Sequence, residues 1–331
     1  MRVLLNIFAV SLLAGFVSSL VGCAANQQSA QVATAKQGFA IEDVGNGIYV
    51  HHGVHLDIDE GYQGDICNAS FVVGSKGVAV IDTGGSLKIG QQLREAIRKV
   101  TSLPVLYVIN THVHPDHIYG NAAFLPSNPN EVKPAFVGHE KLATVMELRR
   151  EQYTKLNAKL LGEDAKGTEL IKPTMVVKTG TTQDLDLGDR TLKLTAHPVA
   201  HTSTDVSVID IKTDSKTSTL FTGDLLFIER TPVLEGDIKG VIAELEKFKT
   251  SAVSQVVPGH GAITKDWQQA IANQQRYLNV LLTDIRANIK AGRTMNETMD
   301  TAAASEKDKW VLFDIANRRN VNIIYPALEW E

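Results

Sequence analysis

Between residues 40 and 265 the chain alternates short apolar runs with stretches of helical period. GIYVHHG, ASFVVG and VAVID read as strands of an opening meander, because β-branched and aromatic residues crowd runs bounded by Gly and Asp. SLKIGQQLREAIRKV then spaces Leu87, Ile89, Leu93, Ile97 and Val100 close to a helical period, and PVLYVIN is a continuous apolar run suited to a buried strand. A charged helical stretch follows from His139 to Leu161. MVVKTG, LDLGDRTLKLTAHPV, DVSVIDIK and STLFTGD restore strands, with turn signals such as Leu-Gly-Asp between them. A helix near 237–249 leads to the strand SQVVPGHG, and helices at 266–291 and 305–319 close the chain. Strands and helices interleave throughout, which predicts an α/β layered domain. No Pro/Gly/Ser-rich linker, charge block or internal repeat divides it.

The front of the chain has a different pattern. Arg2 precedes the apolar run LLNIFAVSLLAGFVSSLVG, which ends at Cys23 and gives way to the polar AANQQSAQVATAKQG. A charged start, an apolar centre and a polar exit mark an export leader. Asn6 and several Ser and Gly interrupt the run, which argues for a leader over a membrane span. Leu20, Val21, Gly22 and Cys23 resemble the bacterial lipoprotein signal, in which the cysteine becomes the lipidated first residue. The expectation is a signal peptide over 1–22, lipidation at Cys23 and a flexible polar tether over 23–39. Such a protein is exported to the periplasm and meets the membrane only through its lipid anchor.

Composition narrows the partners. At 44% hydrophobic and 21% charged over 331 residues the chain buries a sizeable core, which excludes a disordered or fibrous protein. With 33 Lys and Arg against 37 Asp and Glu the net charge is -4 and no basic stripe appears, so nucleic acid is not an expected partner. With Cys23 in the leader, Cys67 is the other cysteine of the chain. An intramolecular disulfide framework is therefore excluded, and Cys67 reads as a small buried residue.

THVHPDH, residues 111–117, concentrates three histidines and an aspartate in one turn. In extended backbone His112 and His114 project from the same side and can grip one metal. Pro115 ends the strand and sends Asp116 and His117 in another direction. One peptide can thus serve two adjacent cations. Imidazole and carboxylate suit zinc, and a catalytic ion keeps one position open for water, so these four groups cannot complete two shells. His201 in PVAHTSTD, Asp224 in LFTGDLL and His260 in VVPGHG are the candidates for the rest. Each follows an apolar strand and sits beside Gly, Pro, Ser or Thr in a tight loop.

Taken together, the HxHxDH motif and the later His201, Asp224 and His260 resemble the metallo-β-lactamase superfamily, over residues of about 40 to 265. VAVIDTGG at 78–85 is similar to that superfamily's first motif. The resemblance implies a four-layer αββα sandwich with a two-metal site along one edge. His112, His114 and His201 would hold the first ion, and Asp116, His117 and His260 the second, with Asp224 bridging. Asp82 would brace the metal loops without ligating. The implied cofactor is a pair of zinc ions, with iron or manganese as alternatives. His51, His52 and His55 in the early hairpin read as solvent-facing or rim residues, His139 as the opening of a helix, and His197 as part of the strand before His201. His55 and the loop DIDEGYQGD are placed to line a substrate mouth.

Two adjacent cations lower the pKa of water from about 15.7 toward about 7 and polarise the oxygen of the bond to be cut, so the resemblance implies hydrolysis. The expected function is binuclear zinc-dependent hydrolysis of a small ester, thioester, lactone or amide by a metal-bridging hydroxide, with Asp116 orienting the nucleophile and carrying its proton. Asp224 as bridge is similar to glyoxalase II and the lactonases; the β-lactamases carry Cys or Ser near that point, which disfavours β-lactam cleavage. An exported enzyme would not meet cytosolic glutathione thioesters, which disfavours glyoxalase II itself. The chain looks most like the exported quinoprotein relay system zinc metallohydrolases and the sulfur-oxidation-cluster H-type proteins. Two other readings stay open: an oxidoreductase like the mononuclear iron persulfide dioxygenases, and a non-catalytic metal-binding lipoprotein. Residues 266–331 exceed the minimal domain. Leu278, Val280, Leu281, Ile285 and Ile289, with Trp310, Leu312, Phe313 and Ile315, predict a helical cap packed on the outer sheet, or a homodimer surface.

Overall fold

Strands with apolar side chains on both faces need cover on both sides, and this requirement stacks the layers. A computed structural model describes residues 39–57, 62–213, 215 and 217–331. The expected leader over 1–22, Cys23 and the tether up to residue 38 lie outside the described residues, as does part of the loop DIDEGYQGD. The described residues belong to one compact unit, and none of their helices is long and apolar enough to cross a membrane.

The first sheet has seven strands side by side in chain order: β1 (Glu42–Gly45), β2 (Ile48–His51), β3 (Ala69–Val73), β4 (Val78–Ile81), β5 (Val105–Ile109), β6 (Ala135–His139) and β7 (Met175–Val177). Pairing is antiparallel through β4 and parallel beyond it. The second sheet is built from β8 (Thr182–Asp186), β9 (Arg190–Ala196), β10 (Val206–Lys212), β11 (Ser218–Phe227) and β12 (Gln255–His260), in the order β12-β11-β10-β9-β8. Only β11 and β12 pair in parallel there.

Alternation along the strands sorts the core. Val72, Ala79, Ile81 and Ile109 face Leu192, Leu194, Val208 and Phe221 of the other sheet, while Phe71, Val78, Val80 and Val108 turn to the opposite side. The seven α-helices of the described residues are α1 (Leu87–Val100), α2 (Pro115–Ile118), α3 (Leu142–Leu161), α4 (Ile238–Lys249), α5 (Trp267–Lys290), α6 (Met295–Thr301) and α7 (Phe313–Leu328). Helix α1 starts where the Ser86 side chain accepts from the Ile89 amide, and it lays Leu93 and Ile97 on the outer face of the first sheet. The outer face of the second sheet is covered by Leu245 and Phe248 of α4, Leu278, Leu281 and Ile285 of α5, and Val321 and Ile324 of α7. The layers run α/β/β/α.

The C-terminal residues pack as a cap within that last layer. Trp310 and Phe313 lie beside the Tyr277 ring at 5.7 and 6.3 Å. Asn320 of α7 accepts from the Leu234 amide and donates to the Pro232 carbonyl, so the cap grips the loop that follows β11.

Local pattern and structure part at two places. His139 ends β6 and does not open a helix, which begins only at Leu142. Parallel pairing of Ala135–Val137 with Tyr107–Ile109 captures the segment as a central strand despite the adjoining helical period. The helix expected at 305–319 is likewise broken. A 3-10 turn covers Ala304–Lys309, Leu312 takes a left-handed φ of 60°, and α7 starts at Phe313. Backbone pairing of Val311 with Glu229 and Thr231 draws the chain out of helical register.

Candidate metal centre

Strand ends and the turns past them bring the candidate residues to one edge of the sandwich, although Asp224 and His260, expected in loops after their strands, lie inside β11 and at the end of β12 because the two strands pair on through them. β5 ends at Ile109, and the extended residues after it carry His112 and His114. Pro115, at the first position of α2, redirects Asp116 and His117. His201 lies in the turn between β9 and β10, held by Asp205, whose carboxylate accepts from the Thr202 amide at 2.9 Å. Asp224 sits within β11, and His260 ends β12. Two glycines let these strands close in. A Cβ on Gly223, at φ 52°, would stand 2.6 Å from Thr111 Cβ, and one on Gly259 would collide with the Asp224 carboxylate.

Hydrogen bonds fix which nitrogen of each ring faces inward. Asp82, left-handed at φ 57°, accepts from the Thr111 amide at 2.8 Å, from Thr111 Oγ1 at 2.7 Å and from His117 Nδ1 at 2.8 Å. An ionised carboxylate only accepts, so His117 carries a proton on Nδ1, and its Nε2 is the nitrogen turned toward Asp224. Thr111 spends its hydroxyl proton on Asp82 and must therefore accept from His112 Nδ1 at 3.0 Å, which leaves His112 Nε2 bare. His260 Nδ1 donates to the Ile66 carbonyl at 2.6 Å, and His114 Nε2 donates to Glu235 at 2.9 Å. Four imidazoles are thus turned with their second ring nitrogen toward one space, where His114 Nδ1 also lies 3.1 Å from His201 Nε2.

That space has two parts. His112, His114, His201 and Asp224 form one group of potential ligand atoms, and Asp116, His117 and His260 form a second, with no separation inside either group above 4.8 Å. Asp224 joins them. Its Oδ2 lies 3.7 Å from His112 Nε2, 3.4 Å from His201 Nε2 and 3.3 Å from His260 Nε2, while its Oδ1 is 3.3 Å from His117 Nε2. Asp116 Oδ2 stands 3.5 Å from both His117 Nε2 and His260 Nε2.

The donor set fits two divalent cations. His112 Nε2, His117 Nε2 and Asp224 Oδ1 are buried without a hydrogen-bond partner, which is costly for lone pairs that nothing satisfies. Burial, reinforced by His117, holds His112 well below the usual histidine range, and burial pushes His201 down to about 3. Burial opposes the charge of Asp224, but His260, His117 and His112 outweigh it and keep the carboxyl well below its ordinary range. Burial also opposes a charged His117, yet Cys67, Asp224, Asp116 and Asp82 pull its value well up, the response of an acidic pocket to positive charge. Neutral His112 and His201 and an ionised Asp224 are the forms in which these groups bind metal, and a cation would take the place of the proton that the acidic pocket favours on His117.

The structure therefore brings together all seven residues singled out as ligands, with Asp82 bracing beneath them. It places other histidines elsewhere. His51, expected at the surface, is buried between the Ala40 carbonyl and Asp65, because β2 lies inside the sheet with β1 and β3 on either side. His52 pairs with Glu42, and His55 reaches Glu229 at 3.4 Å. His139 donates to or accepts from Thr179, and His197 bridges Glu244 and Ser207 in the core.

One part of the centre was not foreseen. Glu235, which holds His114, is itself gripped by both terminal nitrogens of Arg149, and Arg149 also donates to Tyr153. Glu235 stands 121 residues from His114 and belongs to no motif, so no sequence signal marks it. Because a carboxylate on the outer nitrogen fixes ring orientation and raises basicity, Glu235→Ala should weaken binding at the first site roughly 10–100-fold. Glu235→Gln, which keeps an acceptor, should lose less. Zinc competition against a chromophoric chelator measures both, and unchanged affinity in the alanine variant would remove Glu235 from the site.

A family model described as the metallo-beta-lactamase superfamily matches residues 62–260. The chain belongs to that superfamily. Among solved structures with the metallo-β-lactamase fold, the sec-alkylsulfatase Pisa1 from Pseudomonas sp. superimposes with a TM-score of 0.66 at 16% identity, covering 87% of this chain and 50% of that one. A β-lactamase domain protein from Burkholderia ambifaria gives 0.63 at 15% identity, covering 89% and 92%. The metallo-β-lactamase DIM-1 gives 0.53 at 18% identity, covering 73% and 98%. A linear primary-alkylsulfatase from Pseudomonas sp. (strain ATCC 19151) is 36% identical over 50 residues, 15% of this chain and 10% of that protein. The chain spans about half the length of the alkylsulfatase structure and a tenth of the sequence relative.

Proposed function

We propose that the chain is a binuclear zinc-dependent hydrolase that cleaves a small ester, thioester, lactone or amide outside the cytoplasm. One observation carries the reading: the Asp224 carboxylate faces inward-turned imidazoles of both ligand groups at 3.3–3.7 Å. His112, His114 and His201 would hold one ion and Asp116, His117 and His260 the other. Such a pair supplies Lewis acidity and a nucleophile from water at neutral pH. The residues supply the rest. Asp116 stands 3.5 Å from His117 Nε2 and His260 Nε2, where its carboxylate orients the attacking water and takes the proton released. The Asp82 and Glu235 contacts hold the rings so that no reorientation is needed during turnover. Localisation rests on the leader read from residues 1–22, with Cys23 as the anchor point.

A sulfate ester is the second reading. Its support is the alkylsulfatase likeness, which extends over 87% of the chain where DIM-1 covers 73%. Elemental analysis of the purified chain should return about two zinc ions per molecule; one iron without zinc would overturn the hydrolase in favour of an oxygenase. A panel of esters, thioesters, lactones, sulfate esters and nitrocefin should contain at least one substrate turned over by the zinc-loaded protein. No turnover, with rapid zinc loss to a chelator, would leave a metal-binding protein.

A further inference from the structure

A cleft of about 370 Å³ opens where the C-terminal cap meets the chain that leaves β11. That volume suits a small molecule. Asp266, Gln269, Asn273 and Arg276 line it at helical spacing, so one wall is the flank of α5 and not its end. Phe227 and Trp310 add aromatic rings, and the exposed Glu229 and Lys309 complete the charged lining. Phe227 borders both the cleft and the metal centre, because its ring stacks on His260 at 5.2 Å.

The charges of this lining do not cancel. Arg276 and Lys309 are both spent on Glu306, which is 1% exposed. Its oxygens accept from Arg276 Nε at 3.0 and 3.1 Å, from Arg276 Nη2 at 3.0 Å and from Lys309 at 2.7 Å. Arg276 Nη1 donates to Asn273 Oδ1 at 2.8 Å, so every nitrogen of that guanidinium is engaged. The acids are not matched in this way. Asp266 precedes α5, yet its side chain does not cap the helix and pairs with no cation among the described residues. Glu229 faces His55 at 3.4 Å, but burial holds that ring below the usual histidine range and so uncharged near neutral pH. Once Glu306 is set against the two cations, one positive charge remains against two negative ones, and the lining is acidic.

We propose that this cleft binds a small organic cation, an alkylammonium of primary or quaternary type. The Asp266 and Glu229 carboxylates supply the countercharge, and Trp310 supplies an indole ring, the best aromatic partner for a cation. The indole N–H donates to Glu306 at 3.2 Å, which fixes the ring in the wall. The carbons of such a ligand would lie against Phe227 and remove its apolar surface from water. An anion is disfavoured, because both cations of the lining are already paired and the open charges are negative. Occupancy needs no turnover at the metal centre, since Phe227 forms the shared border.

The test uses the zinc-loaded full chain, with tetramethylammonium chloride and butylammonium chloride as probes and sodium chloride holding the ionic strength constant. Saturation-transfer NMR, read on the methyl protons of each probe, should show saturable binding to the parent, and the tighter probe names the type of ammonium. Asp266→Asn should weaken it about 3- to 10-fold, the value of one nearby charge in a wet cleft. Trp310→Leu should weaken it roughly 2- to 30-fold. Because Trp310 also packs beside Tyr277, a second variant guards against misfolding. Gln269→Trp, at an exposed position of the same helix flank, fills the cleft and should abolish binding while the melting temperature stays near that of the parent. No saturable transfer to either probe in the parent would overturn the proposal, as would binding of equal strength in Asp266→Asn and Gln269→Trp.

Discussion

Asp116→Asn should lower turnover about 100- to 10,000-fold, the range that a positioned acid–base group contributes, while zinc at the first site stays bound. The two halves of this expectation come from geometry. Asp116 Oδ2 lies 3.5 Å from His117 Nε2 and His260 Nε2, so it borders the second ligand group and is absent from the first. Burial opposes its charge, but His117 and His260 outweigh burial and hold the carboxyl below its usual range, so it stands ionised beside the second ligand group. Asparagine keeps one oxygen in place and cannot take up that proton. Asp224 is not free to stand in, because its two oxygens already face four imidazoles at 3.3–3.7 Å. The measurement is kcat on whichever substrate the panel identifies, beside zinc content per chain. Full activity in the variant would remove the proton-carrying role; loss of both ions together would show that Asp116 holds the centre and carries no proton.

How much of this could be read from residues alone depends on how each feature is encoded. The layered α/β fold was legible because the strands are short apolar runs bounded by turn residues and α1 and α5 carry a helical period, patterns that survive without tertiary context. THVHPDH was legible for a related reason: a strand followed by Pro115 sends neighbouring ligands in two directions on local geometry alone. His201, Asp224 and His260 were legible from the apolar runs that precede them, although β11 continues through Asp224 and β12 includes His260. β6 was not legible, since AFVGH owes its conformation to β5 and β7 on either side. His51 turned inward for the same reason. Glu235 and Arg149 carry no local signal, because what they do depends on contacts made across long stretches of chain. Ligand sets made of short motifs show in a sequence; the residues that tune them through the fold do not.

Asp82→Ala should lose roughly 3 kcal/mol of stability and the second-site metal together, because one carboxylate carries both loads. It accepts three hydrogen bonds in a buried place: the Thr111 amide, the Thr111 hydroxyl and His117 Nδ1. Removing it strands donors that water cannot reach, and each buried unsatisfied group costs about 1–3 kcal/mol. Alanine also tolerates φ 57° less well than the polar aspartate. In a chain of this size the melting temperature should fall on the order of 10 °C. The functional loss follows from tautomers. Without Asp82, Thr111 Oγ1 has no obligation to accept from His112, and His117 is free to place its proton on Nε2, the nitrogen that faces Asp224. A ring protonated there cannot ligate, so second-site affinity should drop roughly 10–100-fold. Asp82→Asn separates the two effects. Its amide keeps the shape and one acceptor, so most stability should return, while the charge that fixes the His117 tautomer does not. Thermal melts of both variants, with and without zinc, read the first effect, and chelator competition reads the second. Recovery of full zinc affinity in the asparagine variant would show that Asp82 only props the loops, with the tautomers of His112 and His117 set by something else.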